Sequence, residues 1–283
     1  MAKAKEIDLG LIPLESVWDD AVRDMSNFGK TDLYSTGDQV IDEYLGGSTT
    51  GGYGRPNGYE IITIFGDTGR NKSTFATNLV VDPLKKGKTV VYMALEDDPK
   101  DVAARLNVMG VDPHKLPGKL AFFKEQSGYT LGEMAKTIEK YFEFADVILI
   151  DPLQFIYEAS VTERGEAEFN RQRLFMRQMN HIMKKTNKVL IIVSHTNKSG
   201  GKDAPGMSHI IGSSAIAQVS TKVIEIGIDK NMIRFIRMWK SRFTPHRNCE
   251  LALRMTNMKF SALYGDDPNV IKKLREVWNP NQK

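Results

Sequence analysis

The chain has 283 residues, of which 41% are hydrophobic and 26% are charged, a balance that excludes a mostly disordered protein. Lysine and arginine number 39 against 35 for aspartate and glutamate, so the net charge of +4 permits a polyanionic partner without requiring one. The single cysteine, Cys249, excludes an intrachain disulfide, and five scattered histidines do not make a structural zinc site. No signal peptide is visible and no apolar run approaches the ~20 residues of a membrane helix, so we expect a cytoplasmic protein that contacts no membrane.

Three segments are expected along the chain. Residues 1–32 are predicted to be a leader with one amphipathic helix, Glu15–Met25. The apolar residues that recur at helical spacing in it are Trp18, Ala21, Val22 and Met25. Residues 33–264 are predicted to form the core, and residues 265–283 a C-terminal helix and tail.

The core opens with a helix and a loop and then alternates strands with helices. A capping signal at Ser35–Gly37 predicts a helix over Asp38–Tyr44, and the glycine-rich stretch 46–58 predicts a loop. Short apolar runs, typical of strands buried on both faces, are Glu60–Phe65, Thr89–Ala94, Val147–Ile150 and Val189–Val193. Helical patterns cover about 73–86, 99–109, 130–144 and 166–185.

Three later strands, Lys222–Ile226, Met232–Met238 and Leu251–Met255, have hairpin-like spacing. The sequence therefore predicts an α/β fold. Its central sheet is mainly parallel, with helices on both faces and an antiparallel C-terminal extension.

The first buried strand runs directly into a phosphate-binding sequence. Its nine residues are Gly66, Asp67, Thr68, Gly69, Arg70, Asn71, Lys72, Ser73 and Thr74. They nearly match G-x-x-x-x-G-K-[ST] between a strand and a helix. The glycines let the backbone wrap around an anion, and N–H groups at the helix start face the phosphates. Lys72 supplies a cation near the terminal phosphates and Ser73 offers a hydroxyl to Mg²⁺, so this loop is predicted to bind a nucleotide.

One position departs from that pattern, because Asn71 stands where the second glycine is expected. Asparagine is among the non-glycine residues that best tolerate left-handed backbone angles, so we expect the loop to close at some cost. The substitution bears on turnover or nucleotide affinity rather than on the existence of the site.

Carboxylates follow two of the predicted strands. Asp151 closes the run Val147–Ile150, at the strand end where ligands bind, and is expected to hold Mg²⁺; a helix cap before Pro152 is the alternative. Glu96 follows Thr89–Ala94 and can orient and deprotonate an attacking water. A place at the N-terminus of the next helix also suits Glu96, although we favour that role for Asp98.

Polar and basic residues follow the later strands. His195 is expected to hydrogen-bond a terminal phosphate and report its loss, or else it is a satisfied histidine at a strand end. The segment Thr196–Gly206 carries two lysines that can meet nucleic-acid phosphates, although an ordinary solvated loop has the same composition. Lys240 and Arg242 share one face of a strand, where they reach a neighbouring subunit's nucleotide or remain solvated.

In this order the motifs resemble the RecA-like ATPase core of the DnaB-type ring helicases, especially the phage primase-helicases and the mitochondrial Twinkle type. The matching segments are Gly66–Thr74, Leu95-Glu96, Ile150-Asp151, Ser194-His195, Gly212-Ser213-Ser214-Ala215 with Gln218, and Lys240-Ser241-Arg242-Phe243. The resemblance covers about residues 33–264. Beyond the phosphate loop it depends on the order and spacing of the motifs rather than on any one of them.

The resemblance implies a magnesium-dependent ATPase that forms a homo-oligomeric ring, with six subunits, ATP between subunits and single-stranded DNA in the pore. Lys72 and Ser73 would act in cis and Glu96 as general base, while Arg242 would act in trans with Lys240 beside it. Gln218 would contact the nucleotide. The residues expected to bind DNA are Asn197, Lys198, Lys202, Gly212 and Ser213.

The chain also departs from the family pattern at Ile211 and Ala217, where relatives carry arginines, so DNA contact is expected to be weaker or differently placed. No primase domain fits into residues 1–60, so a separate primase or other replication proteins are expected as partners. The leading function is an ATP-driven translocase or helicase on single-stranded DNA in phage-type replication, in the host cytoplasm. Alternatives are a RecA- or RadA-like recombinase, and a low-turnover ATP-binding loader or regulator that Asn71 suggests.

Overall fold

The computed structural model describes residues 18, 33–46, 52–55, 58–124, 128–160, 168–196, 210, 213–242 and 250–263, with the backbone alone at 168, 169, 213 and 214. Trp18 is helical and 55% exposed. The rest of the predicted leader helix and the predicted C-terminal helix lie outside the described residues. The division into leader, core and tail stays a prediction.

Helices and strands alternate along the described part of the chain. The helices are α1 (Gln39–Gly46), α2 (Lys72–Lys85), α3 (Pro99–Val108), α4 (Leu131–Phe144), α5 (Leu153–Ala159), α6 (Glu168–Met183) and α7 (Ser213–Val219). The strands are β1 (Glu60–Gly66), β2 (Thr89–Ala94), β3 (Lys119–Phe122), β4 (Val147–Asp151), β5 (Val189–His195), β6 (Lys222–Ile228), β7 (Arg234–Ser241), β8 (Glu250–Thr256) and β9 (Lys259–Ala262). None of the helices in the described ranges is both long enough and apolar enough to cross a membrane.

The nine strands in the described part of the chain form one sheet in the order β3-β2-β4-β5-β1-β6-β7-β8-β9. The strands from β3 to β6 in this order are parallel to one another. The last three, β7, β8 and β9, add on as antiparallel hairpins. This confirms the predicted fold class, a mostly parallel α/β sheet with an antiparallel C-terminal extension.

Two hydrophobic layers enclose the sheet because successive residues of a strand point to opposite faces. In β1, Ile62 and Ile64 pack in the layer that contains α1, α2 and α3. Ile61 and Phe65 pack in the other layer, with α4, α5, α6 and α7. The parallel strands are therefore covered on both faces, and their carboxyl ends meet at one edge of the sheet.

A buried polar seam joins β1 to β6, the last parallel strand before the antiparallel extension. Lys222 forms an ion pair with Glu60, and their side chains are 2% and 0% exposed. Glu60 also accepts a hydrogen bond from the backbone N–H of Gly54. Next to this pair, the Thr221 hydroxyl accepts from the N–H of Ile61 at 3.0 Å. These groups fix the register in which Lys222 lies beside Ile62.

Breaking the buried pair should destabilise the protein strongly, because it leaves one charge buried without its counter-ion. We expect Glu60→Gln to lower the free energy of unfolding by about 3 kcal/mol in urea denaturation. The double variant Glu60→Gln with Lys222→Met should recover most of that loss, since no buried charge remains.

The matched control is Lys188→Met, which removes a pair with Asp146 whose side chains are 26% and 28% exposed. It should change the free energy of unfolding by about 1 kcal/mol or less. Equal losses from Glu60→Gln and Lys188→Met would show that burial of the Lys222–Glu60 pair does not raise the cost of breaking it.

Candidate nucleotide-binding site

The phosphate loop connects β1 to α2 at the carboxyl edge of the sheet. Gly66 lies so close to β6 that a Cβ on it would come within 2.2 Å of the Ile226 carbonyl oxygen, which excludes any side chain there. Asn71 immediately precedes α2, with φ 65° and ψ 30°. The left-handed conformation predicted for this asparagine is thus confirmed, and the loop closes without a second glycine.

Lys72 begins α2 as a buried cation and is 6% exposed. Its Nζ donates to the carbonyl oxygen of Asp67 at 2.9 Å, across the loop. Burial lowers the pKa of Lys72, while the nearby carboxylates, chiefly Asp151 and Glu96, oppose that change. The loop therefore holds an ammonium group where an anion would strengthen its charged form.

Asp151, at the end of β4, is 3% exposed and receives two hydrogen bonds from neighbouring hydroxyls. Ser73 Oγ donates to Oδ1 at 3.1 Å and Tyr92 Oη donates to Oδ2 at 2.8 Å. Burial raises the pKa of Asp151 to about 6, although both hydrogen bonds act to lower it. The carboxyl is thus held next to the hydroxyl that follows Lys72.

The Ser73 hydroxyl and the Asp151 carboxylate are hard oxygen donors, which is the donor set that Mg²⁺ prefers. In the described ranges, no three His, Cys, Asp or Glu side chains form a group that could hold a metal ion. A magnesium ion at this site would therefore take its remaining ligands from phosphate and water, as is usual for nucleotide-bound magnesium.

Glu96 follows β2 at the same edge, and its side chain is half exposed. His195 Nε2 lies 3.4 Å from Glu96 Oε2. Burial, and then the charge of Lys72, lower the pKa of His195, while Glu96 opposes them. Asp98 caps α3 by accepting from the N–H of Lys100 at 2.8 Å, so the capping role belongs to Asp98 and leaves Glu96 directed to the site.

The segment after β5 is attached to the phosphate loop at its first residue. Thr196 Oγ1 donates to Asp67 Oδ1 at 2.7 Å, and Thr196 forms an antiparallel bridge with Ile210. Four of the residues predicted to bind DNA lie outside the described residues: Asn197, Lys198, Lys202 and Gly212. Ser213 is the first residue of α7, and the structure describes only its backbone.

Lys240 and Arg242 lie away from the phosphate loop of their own chain. Lys240 pairs with Val223 on β6, and β6 begins beside Ile62 on β1. Val223 lies beside Thr63, which is three residues, or about 10 Å, from Gly66. Both cations donate to the carbonyl oxygen of Gln218, Lys240 Nζ at 3.0 Å and Arg242 Nη2 at 2.9 Å. Gln218 is exposed, and the three residues form one group at a distance from the loop of their own chain.

Two residues of the site were not predicted from the sequence. Tyr92 has a detectable signal, since a hydroxyl in the middle of a fully apolar strand needs a buried hydrogen-bond partner. Arg234, the first residue of β7, donates through Nε to Asn71 Oδ1 at 3.3 Å. The sequence gives no signal for this contact between residues 163 positions apart.

A family described as "ATPase: KaiC" matches residues 34–261. The chain is similar to the DNA repair and recombination protein RadB of Methanococcoides burtonii, with 23% identity over 215 residues, 75% of this chain and 91% of RadB. Among solved structures it resembles a KaiC-like protein of Pyrococcus horikoshii, with a TM-score of 0.63 and 20% identity over 82% of this chain and 98% of that one. It also resembles the solved ATPase domain of another protein, with a TM-score of 0.68 and 14% identity over 89% of this chain and 99% of that domain. These similarities confirm the predicted RecA-like fold.

The raised pKa of Asp151 predicts how stability depends on pH in the protein without metal and nucleotide. The folded protein binds this proton more tightly than the unfolded chain, where the value is 3.8, so the stabilisation is complete below pH 3.8 and is lost as the pH rises through about 6. Asp151→Asn carries no titrating group there. Between pH 4 and pH 7 we expect the parent to lose up to about 3 kcal/mol of unfolding free energy relative to Asp151→Asn.

Urea denaturation at a series of pH values measures this difference. Asp101→Asn, at an exposed position of α3, is the control and should follow the parent at every pH. A difference in unfolding free energy between the parent and Asp151→Asn that stays constant from pH 4 to pH 7 would show that burial does not raise the pKa of Asp151.

Proposed function

Since the chain belongs to the KaiC family of ATPases, we propose that it is an ATP-driven translocase on single-stranded DNA that hydrolyses ATP between subunits. The observation that carries this proposal is the position of Lys240 and Arg242. They sit together at the edge of the sheet opposite their own phosphate loop, and Arg242 is exposed. A transition-state cation at that place serves the nucleotide of a neighbouring copy.

Within one chain, the proposed site divides the chemistry among groups already in contact. Lys72 would bind the terminal phosphates, and Ser73 with Asp151 would hold Mg²⁺. Bound Mg²⁺ supplies positive charge to the β- and γ-phosphates. The residues and the metal would together balance the charge of the nucleotide.

Glu96 would accept the proton of the attacking water. Its neighbour His195 has a lowered pKa and is therefore a neutral imidazole at pH 7, able to donate through Nε2 to the Glu96 carboxylate. Such a hydrogen bond orients the carboxylate while leaving one oxygen for water. In this arrangement His195 positions the base and lies at the end of the strand that leads to the proposed DNA segment.

The contact between Thr196 and Asp67 supports a link between nucleotide and DNA. Asp67 accepts from Lys72 through its carbonyl and from Thr196 through its carboxylate. A nucleotide that draws Lys72 toward its phosphates would act on the residue that also holds the start of the segment after β5. DNA contact by Asn197, Lys198, Lys202, Gly212 and Ser213 remains part of the proposal.

A DNA recombinase is the second candidate, and the similarity to RadB favours it. The Lys240-Ser241-Arg242-Phe243 segment, which resembles that of the ring helicases, favours translocation with unwinding of duplex DNA. The low-turnover regulator suggested by Asn71 loses its steric reason, because Asn71 adopts the conformation that the loop requires.

Single-stranded DNA should stimulate the ATPase activity of the chain, and the stimulated protein should unwind a forked duplex rather than exchange strands. Lys72→Ala should reduce hydrolysis about a hundredfold or more, because the phosphates lose their cation. Lys85→Ala, at an exposed position of the same helix, should keep the parental rate.

These measurements separate the candidates. Strand exchange without unwinding would favour the recombinase, and hydrolysis that ignores DNA would contradict both DNA functions. The mass of the assembly with a non-hydrolysable nucleotide then gives the number of subunits.

Arg242→Ala should bind ATP like the parent but hydrolyse it about a thousandfold more slowly, as expected for an arginine that acts across a subunit interface. Arg242→Ala subunits retain an intact phosphate loop, and Lys72→Ala subunits retain the arginine. Mixing the two inactive variants should therefore restore part of the ATPase activity at the mixed interfaces.

The control is Arg254→Ala, which removes an exposed cation from β8 and should leave hydrolysis unchanged. If mixtures of folded, co-assembled variants stay inactive, Arg242 does not act in trans.

A further inference from the structure

Arg234 brings a second cation to the phosphate loop from the antiparallel part of the sheet. It begins β7 opposite Ile228, at the edge of the sheet that carries the loop, and is partly buried. Within the described residues, the hydrogen-bond partner of its guanidinium group is the side chain of Asn71, which accepts from Nε at 3.3 Å. The two Nη groups, which carry the paired donors of the guanidinium fork, are not used in that bond.

The presence of asparagine rather than glycine at position 71 explains the contact with Arg234. Glycine would supply the left-handed conformation at this position more easily than asparagine does. Glycine would not, however, supply an acceptor, and the Asn71 side chain makes no capping hydrogen bond to α2. Its oxygen is instead directed to Arg234. The substitution that departs from the phosphate-loop pattern therefore holds a cation beside the loop.

The position of Arg234 indicates which part of a nucleotide it meets. Asp151 and His195 end β4 and β5, and Glu96 follows β2, all on one side of β1. Arg234 lies on the other side, beyond β6. If the terminal phosphate lies among the acidic residues and Lys72, the chain of phosphates runs across the loop, and the end nearest the nucleoside points toward β6 and β7.

We propose that Arg234, held by Asn71, binds the phosphate that is attached to the nucleoside. This inference rests on the proposed function, in which the loop takes ATP. A guanidinium fork matches two oxygens of one phosphate, so Arg234 would contribute to binding of ADP and of ATP alike. It would take no part in hydrolysis, because the bond that breaks lies at the other end of the phosphate chain.

The test compares Arg234→Gln, Asn71→Gly and the double variant by calorimetric titration with ADP and with a non-hydrolysable ATP analogue. Arg234→Gln should weaken both ligands about tenfold and by the same factor, as the loss of a charge-assisted contact predicts. The KM for ATP should rise by that factor while kcat stays within about twofold of the parent. Asn71→Gly should weaken binding less, and should add nothing in the Arg234→Gln background.

Arg237→Gln is the matched control, because Arg237 lies on the same strand but pairs with Glu225 and Glu250. It should bind both nucleotides like the parent. Arg234→Lys keeps the charge but not the fork, so it should lie between the parent and Arg234→Gln; it also replaces Arg234→Gln if that variant fails to fold.

Three results would overturn the inference. The first is parental affinity in folded Arg234→Gln, or in folded Arg234→Lys where that variant replaces it. The second is a loss of affinity for the ATP analogue but not for ADP, and the third is a loss in kcat with an unchanged KM.

Titration of Lys72→Ala distinguishes failure of this inference about Arg234 from failure of the proposed function. If Lys72→Ala binds nucleotides like the parent, the loop is not the nucleotide site at all, whereas its failure to bind beside an unaffected Arg234→Gln removes only the role of Arg234.

Discussion

The site is organised around a buried ammonium group that donates a hydrogen bond to a backbone carbonyl oxygen. Lys72 is almost fully removed from solvent, and its Nζ is held by the carbonyl of Asp67. A carbonyl is a weak substitute for water around a full charge, which is why burial lowers the pKa of this lysine. The arrangement favours arrival of a polyanion, because phosphate oxygens offer the desolvated cation both charge and hydrogen bonds. The bare Gly66 lets the loop approach β6 closely, and the left-handed Asn71 leads the chain into α2, where Lys72 begins.

The topology of the sheet explains why the other polar groups meet there. Strands β1, β2, β4 and β5 are parallel, so the residues that follow them emerge at one edge. Their interiors are mostly apolar, although Thr63 of β1 and Tyr92 of β2 carry buried hydroxyls. The charged and ionisable groups of the site, Glu96, Asp151 and His195, lie where the strands end. Asp151 shows the consequence: the core raises its pKa, while Ser73 and Tyr92 supply the hydrogen bonds that a buried carboxyl needs.

The parallel strands β1, β2, β4 and β5 could be predicted because their central residues are buried on both faces, and β6, β7 and β8 could be predicted from their hairpin-like spacing. Runs such as Val147–Ile150 carry no polar residue, and both faces of the strand they form are covered. By contrast, β3 alternates between exposed and half-buried positions at the margin of the sheet, and β9, α5 and α7 are too short to establish a period. The phosphate loop could be predicted because its chemistry is local. The contact of Arg234 with Asn71 could not, because it depends on how β7 pairs with β6 and on where β6 lies beside the loop.

The two halves of the proposed catalytic unit lie at opposite edges of one sheet, and this fixes the symmetry of any assembly that joins them. A surface bearing Lys240 and Arg242 would meet a different surface, the one around Lys72, on the next copy. Such a contact is heterologous, and it repeats from copy to copy until the rotation between copies closes a ring or continues as a helical filament. A ring suits translocation along a strand held in its pore, and a filament suits strand pairing along an extended track. The choice between helicase and recombinase is thus, physically, a question about the rotation at one interface, while the chemistry at Lys72, Asp151 and Glu96 is common to both.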